Sequence, residues 1–460
     1  MPVAIRFSRT ATRTLLCAAL FLIVTAAAPA TEIVLGGDAG LRGAVTVSPR
    51  IEERVAALLR ARYTGMATVY GDILTLTAAA TVWHERPADE GADDDSPKSP
   101  YGAELEELRL SLFPPGPLVY DIGRFRHMPG RALIGSPNNN YTTVSVERLL
   151  RGDFAEPGGP QTLLAARALG RVWYAGLVVM PVPDTPQLVA PGSIWLPAFP
   201  LDRTIDDPNL SDEPLTLEEV FAEPTVPIPE PYRRVSGGVE AGLTLGRFDL
   251  ALLYYRGIDP NPVPRIRVSF PSVPLRAYNL SLAPQEVLID SFGLVGETAA
   301  GAATFWVDTA FVPNHTLTTT EIDPFSKRSR LVVAPTIKAV AGAGYRIDAA
   351  RLRLFAEYHH RHSFLPDAIP ADTIVRTPLS SDLVLSARVS AGRRSTWTLS
   401  SGGILSFHDA SAAAFVSALF ESWSGVYAGL SAPLFIGGPD SDYGQYRDIA
   451  HVMMSVGLRF

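Results

Sequence analysis

The chain has 460 residues, with 40 Lys and Arg against 47 Asp and Glu, a formal net charge of −7 at pH 7. An acidic balance argues against nucleic acid as a partner. The one cysteine, Cys17, excludes a disulfide framework, and with it the small stapled secreted domains.

The N-terminus carries Arg6, Arg9 and Arg13, then an apolar run from Leu15 to Ala28, then Ala28-Pro29-Ala30. Charged region, apolar region and small-residue site are the pattern of a secretory signal peptide, so residues 1–30 are expected to be cleaved. The run is short for a retained spanning helix. Cys17 follows Leu16 rather than the small residue a lipidation site wants, and it leaves with the signal. Without the three arginines, 37 basic residues face 47 acidic ones, a balance of −10. No other uncharged apolar run reaches spanning length, so this chain can cross a membrane only as strands.

Several stretches alternate with a period of two. In 107–112, Glu107, Arg109 and Ser111 oppose Leu108, Leu110 and Leu112. In 233–245, Val235, Val239, Ala241 and Leu243 oppose Ser236, Glu240 and Thr244. In 351–361, Arg351, Arg353, Glu357 and His359 oppose Leu352, Leu354, Ala356 and Tyr358. In 382–391, Asp382, Ser386 and Arg388 oppose Leu383, Leu385 and Val389. A helix would scatter these charges around its axis, whereas a strand collects them on one face. The last stretch, His451 to Phe460, puts Val452, Met454, Val456, Leu458 and Phe460 on one side.

Connections alternate short and long. Short ones fall at Pro114-Pro115-Gly116, Gly170-Arg171, Gly246-Arg247, Ala299-Ala300-Gly301, 344–350, Arg393-Arg394 and 422–425. Long ones fall near 85–101, 127–160, 181–232, 258–283, 313–328 and 362–379. Together with a first hairpin at 33–47 and 51–63, the count gives about eighteen strands, with sixteen the nearest alternative. Pro264, Pro271, Pro274 and Pro284 interrupt 262–297, so no continuous strand is assigned there. Trp83, Trp173, Tyr174, Tyr254, Tyr255, Trp306 and Trp423 fall near strand ends, where interface girdles are expected.

The signal, the alternating loop lengths and the terminal Gly457-Leu458-Arg459-Phe460 resemble the large single-chain bacterial outer-membrane porins and channel proteins. The resemblance implies an all-β fold, a transmembrane antiparallel up-and-down β-barrel over 31–460. It implies an integral place in the outer membrane, with lipid around it and the barrel-assembly machinery reading Gly457, Leu458 and Phe460 during insertion. The implied function is passive or facilitated diffusion of small polar or charged solutes. A stretch from Glu107 through Gly123-Arg124-Phe125 to Gly130 and Ser136-Pro137-Asn138-Asn139 resembles a porin hairpin whose following loop folds inward and narrows the pore. It departs from that pattern in having Pro129 before the loop glycine. The inward loop would bring Arg124, Arg126, Arg131 and Asn138 to Asn140 into a constriction.

In such a barrel the charged faces line water, and rings of charge set selectivity. The pore-lining candidates are Arg60, Arg62, Arg109, Asp121, Arg124, Glu240, Arg351, Arg353, Glu357 and Arg388, with Glu107, Lys338 and Asp382 beside them. Asp93-Asp94-Asp95 lacks the spacing of a calcium loop. His360 and His362 alternate to the face opposite His359, which argues against a shared zinc site, so no metal or cofactor is expected. An enzyme would need a nucleophile with His and a carboxylate. There is no Gly-x-Ser-x-Gly elbow, and Ser406 and His408 share a strand face without an identifiable third member. A closed surface barrel, an adhesin with loop 181–232 as its binding face, is the other alternative.

Overall fold

The computed structural model describes residues 32–46, 57–71, 73–87, 101–132, 135–144, 158–184, 204–205, 215–222, 228, 234–269, 277–323, 326–374, 379–392, 396–438, 441–449 and 451–459. The expected signal, the acidic cluster at 93–95, much of loop 181–232 and Phe460 lie outside the described residues. No helix among the described residues is long and apolar enough to cross a membrane.

Eighteen strands form one ring. The first seven are β1 (Glu32–Thr46), β2 (Ala57–Tyr70), β3 (Leu74–Pro87), β4 (Tyr101–Leu112), β5 (Leu118–Phe125), β6 (Gln161–Leu169) and β7 (Trp173–Met180). Next come β8 (Ser236–Leu245), β9 (Phe248–Ile258), β10 (Leu288–Ala300), β11 (Ala303–Val312), β12 (Thr336–Ile347) and β13 (Leu352–Ser363). The ring ends with β14 (Leu379–Ala391), β15 (Trp397–Ser406), β16 (Ser411–Glu421), β17 (Val426–Ile436) and β18 (His451–Arg459). Each strand pairs antiparallel with its neighbour in sequence. β18 returns to β1 from Asp38↔Arg459 to Thr46↔His451, so the sheet closes and leaves no barrel edge. Short turns gather at one end and long connections at the other, as the sequence spacing predicts, with the four-residue turn 407–410 the exception at the long end.

The expectations need two corrections here. The second strand starts at Ala57 and runs to Tyr70, later than 51–63. Within 262–297, only Leu288–Ala300 joins the ring. Val263–Ser269 and Ala277–Gln285 instead form an external four-stranded sheet with Thr204–Ile205 and Leu215–Ala222. A proline removes one ladder donor. Here Pro264 lies on the outer strand of that sheet, and Pro284 lies beyond Leu282, the last residue paired to Leu215–Ala222.

The two faces of the ring differ. Val239, Leu252, Phe292, Leu385, Val416, Leu430, Leu434 and Met454 all point outward and are exposed, Leu252 at 66%. A soluble protein rarely leaves such a band bare, but lipid covers it without penalty. Trp173, Phe248, Tyr345, Trp397 and Trp423 ring the short-turn end of the outer surface. The girdle expectation fails for Tyr174, Tyr255 and Trp306. Alternation can send only one of two adjacent residues outward, so Tyr174 faces in beside Gly242, and Tyr255 is buried inside. Trp306 faces inward and donates its indole N–H to Glu357 Oε1 at 2.8 Å.

Candidate functional site: the barrel interior

The connection after β5 turns into the barrel. Asp308 on β11 is fully buried and points inward, because Val307 and its outward neighbours Phe305 and Phe311 are the exposed face of that strand. The backbone N–H groups of Arg131 and Ala132 donate to Asp308 Oδ2 at 3.0 and 3.3 Å. Ser136 Oγ donates to the same oxygen at 2.5 Å, and Asn138 Nδ2 donates to Oδ1 and to the Thr309 carbonyl. One inward carboxylate therefore holds four donors of a loop some 170 residues earlier in the chain. The wall is cut back to admit it. A Cβ on Gly293 would lie 1.9 Å from Asn138 Oδ1, and one on Gly130 would lie 1.7 Å from Ser136 Oγ. Tyr141 then packs edge-on against Tyr255 and His127, with centroids 5.2 and 5.1 Å apart. It joins an interior cluster with Phe125, Leu163, Val178, Ile289 and Val312. Burial of a ring of this size stabilises by about 1.5–3 kcal/mol. It also drives the Tyr141 hydroxyl pKa upward, with the Tyr255 and Glu240 charges adding to the rise.

Asp121, on β5, is the second centre. Arg109 Nε donates to its Oδ1 at 2.9 Å and Ser111 Oγ to the same atom at 2.5 Å, while Arg167 Nη2 donates to Oδ2 at 2.7 Å. The carboxylate is buried, and the two guanidinium groups are each about one-third exposed. Their outer edges thus present net positive charge to the lumen, and Arg109 also lies over the Phe125 ring at 5.0 Å.

Other expected residues divide. Arg131 reaches Glu297 (Nε to Oε2, 2.9 Å) and is half exposed. Arg126 pairs with Glu106 at 2.7 Å. Glu240 is buried and faces inward, with His127 Nε2 3.4 Å away. Glu357 is buried between the Trp306 indole and His359 Nε2 at 3.2 Å. Arg353 and Arg388 face the lumen and are exposed. Arg351 lies in the turn before β13, in a left-handed conformation, and donates to the Gly392 carbonyl at 3.0 Å. Gly457 and Leu458 lie on opposite faces of β18. A Cβ on Gly457 would approach Ala39 O at 2.4 Å, and Leu458 is exposed to lipid. The side chains of Arg60 and Arg62 lie outside the described residues.

Arg124 is not brought into this group. Its register partners are Leu108 and Thr162, in the row of the exposed Ile122 and Leu164, and it pairs with Asp184. Gly123 before it has φ 135°, and β4 shifts register between its partners for Ala79 and Ala80. Alternation along β5 puts Asp121, Gly123 and Phe125 inward and sends Arg124 to the opposite face.

Sequence reasoning missed Asp308, Arg167 and Glu297. Asp308 is the one charged residue in Phe305 to Val312, which marks an inward position but not the loop it binds. The Ser406 and His408 pair gains a third member: His408 Nδ1 meets Ser406 Oγ at 2.8 Å, and its Nε2 lies 3.3 Å from Asp442 Oδ2 and 3.8 Å from Asp409 Oδ2. Ser406 is fully buried, so its hydroxyl is closed to any solute.

No protein-family model and no curated protein matches the chain. Among solved structures it is similar to bacterial outer-membrane porins. OmpF of Salmonella typhi, in complex with daunomycin, is 10% identical over 93% of this chain and 97% of that one, with TM-score 0.40. OccAB1 of Acinetobacter baumannii is 8% identical over 94% and 98%, with TM-score 0.49. A triple mutant of the Rh. blastica porin is 10% identical over 93% and 100%, with TM-score 0.38. The barrel itself rests on its own strand pairing. Closed, antiparallel and banded with apolar side chains, it is an integral outer-membrane barrel.

Proposed function

We propose that this protein is a passive channel for small polar or charged solutes, and not an enzyme. The observation that carries the reading is the inward loop held on Asp308. A loop fixed against the inner wall narrows a wide barrel. Solutes are then filtered by size, and steered by the Arg109–Asp121–Arg167 group on one sector and Arg131 with Glu297 on another. The external sheet formed around Leu215–Ala222 supports a second reading, a surface barrel that binds a partner outside the cell. Liposome swelling separates the two. Purified protein is expected to admit small sugars and amino acids with a sharp size cut-off, and Asp308→Ala is expected to raise that cut-off. Liposomes that do not swell with folded protein would favour the surface barrel.

A further inference from the structure

One inward row of the ring crosses six strands with an unusual content. Hydrogen-bonded register joins Arg346 on β12 to Arg353 on β13, Arg353 to Arg388 on β14, and Arg388 to Ser400 on β15. It continues to Ser417 on β16 and Ser431 on β17. All six point into the barrel, since Tyr345, Leu354, Leu399, Val416 and Leu430, next to them in sequence, are the exposed outward residues. The arginines stand near the short-turn end of their strands.

Directly opposed like charges destabilise an antiparallel pair. Arg346 has a counter-charge, with its Nε 2.7 Å from Asp348 Oδ1. Arg353 and Arg388 form no hydrogen bond or ion pair with any described residue. Their inward neighbours along the strands are Arg351, Phe355, Ser386 and Ser390, none of them acidic. Several other charges inside this barrel are neutralised: Asp121 by two arginines, Glu297 by Arg131, and Glu421 by Arg459 at 2.9 Å. Two adjacent, uncompensated guanidinium forks followed by a run of hydroxyls make a donor surface for an oxyanion. A fork matches two oxygens of a phosphate or carboxylate, and a serine supplies a further O–H.

We infer that the Arg353–Arg388 row is an oxyanion-binding station on the solute path. The inference rests on the channel reading above. Currents carried by chloride through single channels in a planar bilayer test it, with inorganic phosphate as the probe. Phosphate is expected to block the wild-type channel, and the Arg353→Ser/Arg388→Ser double variant is expected to need about tenfold more phosphate for the same block. Arg353→Lys/Arg388→Lys keeps the charge without the fork and is expected to fall between. A sugar phosphate that blocks more tightly than inorganic phosphate would identify a phosphorylated solute as the ligand, and the reverse order would identify free phosphate. Should the double variant not assemble, Arg388→Gln alone reads the same block, with an expected loss of about threefold. Equal block in variant and wild type would overturn the station. Folded wild-type protein that passes no chloride at all would overturn the channel reading beneath it.

Discussion

Asp308 is the residue on which the interior turns. Its carboxylate takes two backbone and two side-chain donors of the inward loop, all inside the barrel. Asp308→Ala strands those donors, each costing about 1–3 kcal/mol if it stays buried without a partner. The loop therefore leaves the wall while the ring, whose own ladder is untouched, stays folded. Amide exchange at Arg131 and Ala132 is expected to rise at least tenfold, with heat-modifiable migration unchanged. A second residue ties an external connection to the rim. Burial alone would raise the Asp409 carboxyl pKa. Hydrogen bonds from the amides of Asp442 and Ser411 and from Ser411 Oγ, with His408 nearby, hold it below the ordinary 3.8. A lowered folded value means this contact is at full strength above the unfolded pKa and is lost as pH falls through the folded one. Loop 441–449 is thus expected to be protease-resistant at pH 7 and to become cleavable only as pH falls below 3.8. Asp409→Asn should release it already at pH 7, and resistance unchanged by the substitution would contradict this assignment.

At the scale of elements, the hairpins were legible in sequence because one face of each strand meets lipid and the other meets water, which writes a period of two. Val239–Ala241–Leu243 against Glu240, and Leu383–Leu385 against Asp382 and Arg388, kept the faces expected of them. Where legibility stopped, a physical reason stands behind it. Period two says nothing of which sheet a strand joins, and the prolines of 262–297 hid Val263–Ser269 and Ala277–Gln285, which pairing places outside the ring. The inward loop was suggested by its turn residues, yet its anchor on Asp308 is a contact between distant segments that no local pattern encodes. Arg124 misses the lumen because it lies three positions from the inward Asp121, which alternation puts on the opposite face. The same face logic yields a prediction. Leu252→Arg puts a charge on the lipid side and should cost about 2–4 kcal/mol near the bilayer midplane. Leu253, its inward neighbour, opposite Glu240, should accept Arg at far smaller loss. The folded fraction after refolding into lipid or detergent, read by gel migration, measures both.

Among the described residues the molecule is a closed ring of eighteen strands whose interior receives the loop after β5. The β8–β11 sector carries Glu240, Glu297 and Asp308 and receives the loop. The β12–β14 sector carries Arg346, Arg353 and Arg388. Groups of opposite sign thus sit on neighbouring sectors of the inner wall. Closure between β1 and β18 makes that arrangement rigid, because no free edge is left to open.

Single-channel conductance of the mature protein in a planar bilayer, under a salt gradient, tests this account most directly. Discrete open steps are expected, larger in Asp308→Ala than in the wild type, with a reversal potential that moves toward cation preference when Arg353 and Arg388 are replaced. Folded, heat-modifiable protein that gives no steps in either form would contradict it.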